Sequence, residues 1–547
     1  MEVNPKLSNV FFSKDDVYKV LCTLNSHKAY GCDNLSPLVL RECASQLSPS
    51  LALLFNLSMS AGVVPNQWKE ANVVPIHKKG DTNNVENYRP VSLLSSVSKV
   101  MERCIYNQIY PVVEPRLSTA QHGFMKFKSC TTQLLDMYHM IGSVLDASGQ
   151  ADIIYLDFSK AFDSVNHKLL IHKLKAFGVN GKLLSWLHSY LSNRTQHVVL
   201  EGNESKWLPV LSGVPQGSIL GPLLFLLFIN DMPSVCKSSK IGLFADDAKI
   251  FRKIDDVSDC LLLQSDIDML YKWSVIWKMN FNPSKCKVLT VSRRKAPVCF
   301  NYCLNGIVLE HVTSFKDLGV LVATDLSWKD HIDTVVGKCN RVNGMIKRVV
   351  GFHAPPNVTL NLYKSLTRSI TEYSSPVWSP QTSKELCHIE SVQRSITRFI
   401  TRFDGSSYKD RCIHLNILPL CYRREFSDLV FFYKCFHNEI KFDLSNLCQY
   451  YDETSSRRSA KSGLLLKPLL TRTESFKRSY FNRIVSEWNS LPLAIRGIST
   501  LYSFRKQLLI HYTTKLHEVF STDNMCTWTS TCRCQQCVCY RLRQLYM

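Results

Sequence analysis

The stretch "GLFADDAKIF", residues 242–251, sets two adjacent carboxylates, Asp246 and Asp247, inside an otherwise apolar run. Two neighbouring carboxylates repel one another, and burying either without a partner costs several kcal/mol or forces protonation. One reading is a surface turn, since Asp favours turns and water screens the pair. The other is a divalent cation, whose charge makes a carboxylate pair favourable. A cation needs further ligands, so the remaining sequence decides between the two.

The flanking pattern reads as two short strands around a tight bend, with Asp246 and Asp247 at the tip. Upstream, "ADIIYLDF" (151–158) is a bounded apolar run rich in β-formers, hence a buried strand. It leads into "SKAFDSVNHKLLIHKLKAFG", where Ala161, Phe162, Val165, Leu169, Leu170 and Leu174 recur at helical spacing, predicting one helix. Asp157 therefore sits at a strand end. If that strand neighbours the 242–251 hairpin, Asp157 and Asp246 converge, and such a set can hold two Mg²⁺ ions about 4 Å apart for in-line phosphoryl displacement.

Between these segments lies "LSGVPQGSILGPLLF", in which Gly213, Pro215, Gly217, Gly221 and Pro222 punctuate an apolar stretch. Glycine permits close backbone approach, and Gln216 offers both a donor and an acceptor. Elsewhere, residues 11–60 read as two helical patterns and "WKEANVVPIHKKGDTNNVENYRPVSLL" as a strand running into a basic, Asn-rich flap. Residues 96–115, 131–148 and 258–280 read as helices. "CKVLTVSRR", "FNYCLNGIVLE" and "SFKDLGVLV" read as a small antiparallel group, and helical patterns dominate from about 329 onward.

The 547 residues exceed one hydrophobic core, and 45% hydrophobic content is ample for several. A net charge of +21, spread along the chain, suits a polyanionic partner such as nucleic acid. The 21 cysteines form no repeated framework, and the start "MEVNPKLSNVFFSKDD" has no signal-peptide core. An intracellular setting, nuclear or cytoplasmic and not secreted, is expected. The longest apolar run, residues 219–229, is broken by Gly221 and Pro222 and is shorter than the roughly 20 residues of a membrane span. No membrane association is expected.

Taken in order, "YLDFSKAFDSVNH", "GVPQGSILGPLLFLLFINDM" and "LFADDAKIF" resemble the palm motifs of reverse transcriptases of non-LTR (LINE-type, jockey-like) retrotransposons. "WKEANVVPIHKKGDTNNVENYRPVSLLSSVSKVMER", "NFNPSKCKVL", "FKDLGV", "LYKSLTRSITEYSSPVWSP" and "SVQRSITRFI" extend the resemblance over roughly residues 10–510. It implies an α+β right-hand polymerase with fingers, an antiparallel-sheet palm, a helical thumb and a mainly helical C-terminal region. The implied segments are an N-terminal helical extension (1–60), fingers (61–150), palm (151–325), a thumb-like region (326–400), a helical C-terminal region (401–520) and a Cys-rich basic tail (521–547).

The resemblance implies RNA-directed DNA polymerase activity on an RNA template, a DNA primer and dNTPs, with two Mg²⁺ ions for which Mn²⁺ can substitute. Asp157, Asp246 and Asp247 would be catalytic and metal-binding, with the Phe158 carbonyl as a backbone ligand. Phe162 matches the aromatic on which the sugar sits, although its spacing alone also fits a helix-core ring. Lys78, Lys79 and Arg89 fall where the fingers hold the triphosphate, where a Lys point charge and an Arg fork suit polyphosphate. Gln216 and Gly217 would line the base-pair pocket. Lys285 would be the acid that protonates the leaving pyrophosphate. Asp163 is expected to orient a helix start.

The chain departs from the family pattern at "QHGFMKFKSC" (121–130), where Met125, Phe127, Lys128 and Cys130 replace Arg, Gly, Arg and Thr, and at Asp317, where an aromatic is usual. The finger region begins within the first few dozen residues, leaving no room for the endonuclease of full elements. A catalytically inactive remnant that binds nucleic acid is therefore one alternative, and an RNA-dependent RNA polymerase, which Phe162 opposes, is another. Cys526, Cys532, Cys534, Cys537 and Cys539 lie close enough for Zn²⁺ or form a plain disordered tail.

Overall fold

The computed structural model describes residues 7–521 apart from 79, 381, 403, 404, 446 and 450–463. Lys79 and the cysteine cluster at 526–539 thus lie outside the described residues.

The chain opens with α1 (Lys14–Cys22), started by a capping box between Ser13 and Asp16. The second helical pattern is two helices, α2 (Pro37–Glu42) and α3 (Ala44–Ala61), because Cys43 takes a ψ of 22° and ends one while starting the other. The expected flap is a hairpin of β1 (Glu70–His77) and β2 (Tyr88–Leu93), in register Ile76 with Arg89. Helices α4 (Ser96–Val113) and α5 (Cys130–Asp146) follow as the periodicity predicts.

Next come β3 (Gln150–Leu156), α6 (Ala161–Ser164), α7 (His167–Ala176) and α8 (Gly181–Leu191). The helix predicted after β3 is therefore two pieces: Asn166 accepts a hydrogen bond from the Leu169 N–H and starts a new helix after only one turn. Strands β4 (Arg194–Leu200), β5 (Asn203–Glu204) and β6 (Leu208–Val210) lead to α9 (Leu220–Ile229). Then follow β7 (Lys240–Phe244), β8 (Asp247–Ile254), α10 (Val257–Trp277) and β9 (Lys287–Ser292).

The strands expected to form one small antiparallel group are distributed over different sheets. Strand β9 joins the central sheet beside β3, and the hairpin β10 (Cys303–Leu304) with β11 (Ile307–Val308) stands apart. Then β12 (Glu310–His311) pairs parallel with β9, and β13 (Ser314–Asp317) forms its own hairpin with β14 (Val320–Ala323). The central sheet has the order β12-β9-β3-β8-β7, antiparallel except at β12, and a second sheet joins β2, β1 and β4, with β1 and β4 parallel.

Strand β3 is buried along its whole length, which is why it reads as a continuous apolar run. Ile154 and Leu156 face one core and Ile153 and Tyr155 the other. The helices that follow are α11 (Lys329–Val350), α12 (Pro356–Leu362), α13 (Arg368–Glu372), α14 (Ser383–Ile400), α15 (Tyr408–His414), α16 (Leu420–Phe436), α17 (Glu474–Lys477), α18 (Tyr480–Asn489), α19 (Leu493–Arg496) and α20 (Leu501–Ser521), and all but the short α17 contribute to the second core. Asp146, at the end of α5, docks the C-terminal helices by accepting the N–H groups of Arg472 and Thr473 and the Thr473 hydroxyl. Among the described residues every cysteine is a free thiol, and no helix is long and apolar enough to cross a membrane.

Candidate active site

The register of the central sheet brings the carboxylates together. Leu156 on β3 faces Ala248 on β8, so one residue further Asp157 leaves its strand beside Asp247. Phe244 pairs with Asp247, so Ala245 and Asp246 form a two-residue turn, with Ala245 in the left-handed region at φ 55°. A side chain there is strained. Gln121 offsets the strain, because its Oε1 accepts the Ala245 N–H at 2.9 Å and its Nε2 donates to the Ala245 carbonyl at 3.4 Å. The segment around Gln121 runs alongside β7, where the Leu243 N–H donates to the Ala120 carbonyl and the Leu243 carbonyl accepts the His122 N–H, each at 2.9 Å.

Asp157 is held by the segment 280–286. The Asn282 N–H donates to the Asp157 carbonyl at 2.8 Å, the Ser159 N–H donates to the Asn280 carbonyl at 2.9 Å, and the Phe158 ring stacks on Phe281 at 4.5 Å. Asp157 Oδ2 is buried without a hydrogen-bond partner, and its nearest cation is the exposed Lys285 ammonium at 3.6 Å. Burial, then the Asp157 charge, raises the Asp246 carboxyl, while Arg89 and Lys78 pull it down. Asp247 is open to solvent on one side yet hemmed in by protein. Desolvation, then Asp246, Asp317 and Asp157, push it up to about 6.

The second sheet supplies the cations. Lys78 follows β1 and Arg89 lies on β2, both exposed and both near enough to act on Asp246. Gln216 bridges this sheet to the centre. Its carbonyl accepts the Ser92 N–H at 2.7 Å, and its Nε2 donates to Asp163 Oδ1 at 2.8 Å. Asp163 thus orients Gln216 as well as lying in a first helical turn. Gly217 has φ 128°, and a Cβ there would lie 2.3 Å from the Ser92 carbonyl oxygen, so only glycine fits. Phe162 stacks on the fully buried Phe225 at 4.4 Å.

Sequence reasoning missed two residues. Glu102 is fully buried and accepts the N–H groups of Ile219 and Leu220 at 2.8 and 3.1 Å, fixing the start of α9 and hence the Gln216 loop. Burial raises its carboxyl, and the two N–H groups oppose the rise. Nothing local in the sequence marks that contact, which spans more than a hundred residues. Gln121 could have been found, because a Gln two residues before a glycine in "QHG" is odd chemistry for a plain loop.

Among the described residues no group of three His, Cys, Asp or Glu side chains is gathered closely enough to hold a cation as it stands. The donor set nevertheless fits one. Asp157 Oδ2 is a buried carboxylate oxygen with no hydrogen-bond donor, and burial, followed by the charges of neighbouring carboxylates, raises the Asp246 and Asp247 carboxyls, a deficit of positive charge that a divalent ion would fill.

Residues 76–322 match the family model described as reverse transcriptase (RNA-dependent DNA polymerase). The two-sheet frame with its convergent carboxylates is therefore a reverse transcriptase domain, a class that depends on divalent metal. The domain is of the non-LTR, LINE type. The chain is similar to the RNA-directed DNA polymerase from mobile element jockey of Drosophila melanogaster, 30% identical over 403 residues, 71% of this chain and 43% of that protein. The jockey polymerase of Drosophila funebris is 30% identical over 334 residues, 59% of this chain and 36% of that protein. The probable RNA-directed DNA polymerase from transposon BS of Drosophila melanogaster is 27% identical over 405 residues, 71% of this chain and 44% of that protein. The chain thus spans less than half the length of these curated relatives.

Proposed function

We propose that the chain is an RNA-directed DNA polymerase of a non-LTR retrotransposon, adding deoxynucleotides to a primer 3′-hydroxyl on an RNA template. The observation that carries this reading is the β3–β8 register, which sets Asp157 beside the Asp246–Asp247 turn. The two sheets and the helical region then correspond to palm, fingers and thumb, with the boundaries given by the sequence, and the site of action is intracellular. The strand β4 joins the fingers sheet although it lies within the palm range of the sequence.

Asp157, Asp246, Asp247 and the Phe158 carbonyl would hold two Mg²⁺ ions, or Mn²⁺ in their place. When bound, the ions lower the pKa of the primer hydroxyl and neutralise the phosphates. The protein does the rest. Lys78 and Arg89 draw in the triphosphate, with Lys79 beside them in sequence. Gln216, oriented by Asp163, and Gly217, pressed against Ser92, shape the base-pair pocket. Phe162, seated on Phe225, carries the sugar and excludes a 2′-hydroxyl. Lys285, near Asp157, donates the proton to the departing pyrophosphate.

Primer extension on an RNA template with Mg²⁺ and dNTPs tests the reading. Extension that disappears in Asp246→Asn supports it. Template–primer binding without extension would leave the remnant reading, and a preference for ribonucleotides the RNA-polymerase one. Zinc bound by the 526–539 cysteines is a separate proposal, tested by metal content with and without those residues.

A further inference from the structure

The ring of Phe124 meets the Phe162 ring edge-on, with centroids 6.0 Å apart and planes at 83°. Phe225 covers one face of Phe162, and Phe124 abuts it from another direction. Phe124 is half-exposed and adopts φ 56°, a left-handed conformation that a side chain rarely takes without an external constraint. The constraint is visible. Gly123, immediately before it, packs its Cα against the Ala245 backbone, and its N–H donates to Gln121 Oε1 at 2.7 Å. The segment 120–123, which runs along β7 and clasps Ala245 beside Asp246, thus aims an aromatic ring at the proposed sugar platform.

We infer that Phe124 is a positioning residue for sugar selection, a brace that keeps Phe162 from swinging aside to admit a 2′-hydroxyl. The inference rests on the reading of Phe162 as the sugar platform. A stacked ring with one free edge can tilt about its side-chain torsions, and the T-shaped contact opposes that tilt. Through Gln121 and Gly123 the brace is tied to the turn carrying Asp246, so sugar fit and carboxylate position share one loop.

The test is single-nucleotide extension on an RNA template, comparing kcat/KM for dCTP and rCTP. Phe124→Ala should lower the dCTP-to-rCTP ratio by roughly 2- to 10-fold, the factor a T-shaped aromatic pair is worth. The change should lie chiefly in KM for rCTP. Phe124→Tyr, which keeps the ring edge, should restore the ratio, and Phe124→Ala should change it no further when Phe162 is already Ala. Loss of both activities in equal proportion, or an unchanged ratio, would overturn the inference while leaving the polymerase reading intact. Absence of extension by the unaltered chain would overturn both.

Discussion

Gly123→Ala should cripple catalysis while leaving the fold and nucleic-acid binding in place. A Cβ at residue 123 would lie 2.1 Å from the Ala245 nitrogen, 2.8 Å from the Phe244 carbonyl carbon and 2.9 Å from Ala245 Cα, all backbone atoms. Real Cβ contacts essentially never fall below 3.0 Å, so the two segments must separate by at least 0.9 Å (3.0 minus 2.1). The loop cannot retreat freely, because His122 N–H is bonded to Leu243 and Gln121 clasps Ala245 on both sides. The turn therefore moves, and Asp246, the next residue, moves with it. A misplacement of about 1 Å costs on the order of 10²-fold in rate. Single-turnover extension at saturating dNTP measures the loss, and fluorescence anisotropy with labelled template–primer checks that binding holds. Gly337→Ala is the control: a Cβ there would meet nothing within 4 Å beyond its chain neighbours and the helix's own backbone, so it should stabilise α11 by about 0.4–1 kcal/mol and leave turnover alone. A Gly123→Ala protein that is folded and extends within twofold of the parent would refute the reasoning.

Other perturbations have equally definite outcomes. Asp246→Asn should lower the extension rate by about 10²–10³-fold or more. It should also raise the melting temperature in metal-free buffer, since it removes a charge that Asp157 and Asp247 oppose; an unchanged or lower midpoint would argue against that repulsion. Lys249 and Asp317 form a buried ion pair to which the Tyr138 hydroxyl also donates, at 2.5 Å. Lys249→Met alone strands a buried carboxylate and should cost about 3–5 kcal/mol by urea titration, whereas Lys249→Met with Asp317→Leu should recover most of it; equal losses would contradict this.

Burial holds the imidazoles of His122 at about 3 and of His139 and His331 at about 4, below the free value of 6.5. Between those values the unfolded chain binds more protons, so the stability they confer is complete above pH 6.5 and is lost as pH falls toward 4. At pH 5.5 each contributes a loss of about 1.4 kcal/mol, offset in part by Asp247, which favours its proton below about 6. His139→Phe should make the fall between pH 7.5 and 5.5 smaller by about 1.4 kcal/mol; a fall of the same size in the variant would speak against it.

Local chemistry made much of this protein legible in one dimension. The alternation and apolar runs of 151–158 and 242–251 specify strands wherever they pack, and the Asp pair inside the second is incompatible with burial unless something positive arrives. Helices α1, α4, α5 and α10 follow from 3.6-residue periodicity with clear starts at Ser13, Ser95, Ser129 and Asp256. The break at Asn166 escaped because one capping side chain outcompetes an apolar pattern that continues through it. The partner of β9 escaped, although the strand itself was legible, because a six-residue strand carries no information about which neighbour it will choose.

What only the tertiary structure decided is how distant segments bear on a few atoms. Sequence order says nothing of Gln121 clasping Ala245, of Glu102 closing the start of α9, or of Asp317 neutralising Lys249 inside the second core. Each is a polar group whose partner lies between 68 and 124 residues away. Periodicity reports which face of an element is apolar, since that depends on neighbours within a turn or two. Burial of a charge depends on what folds over it, and that is settled only when the sheet register and the helices around it have closed.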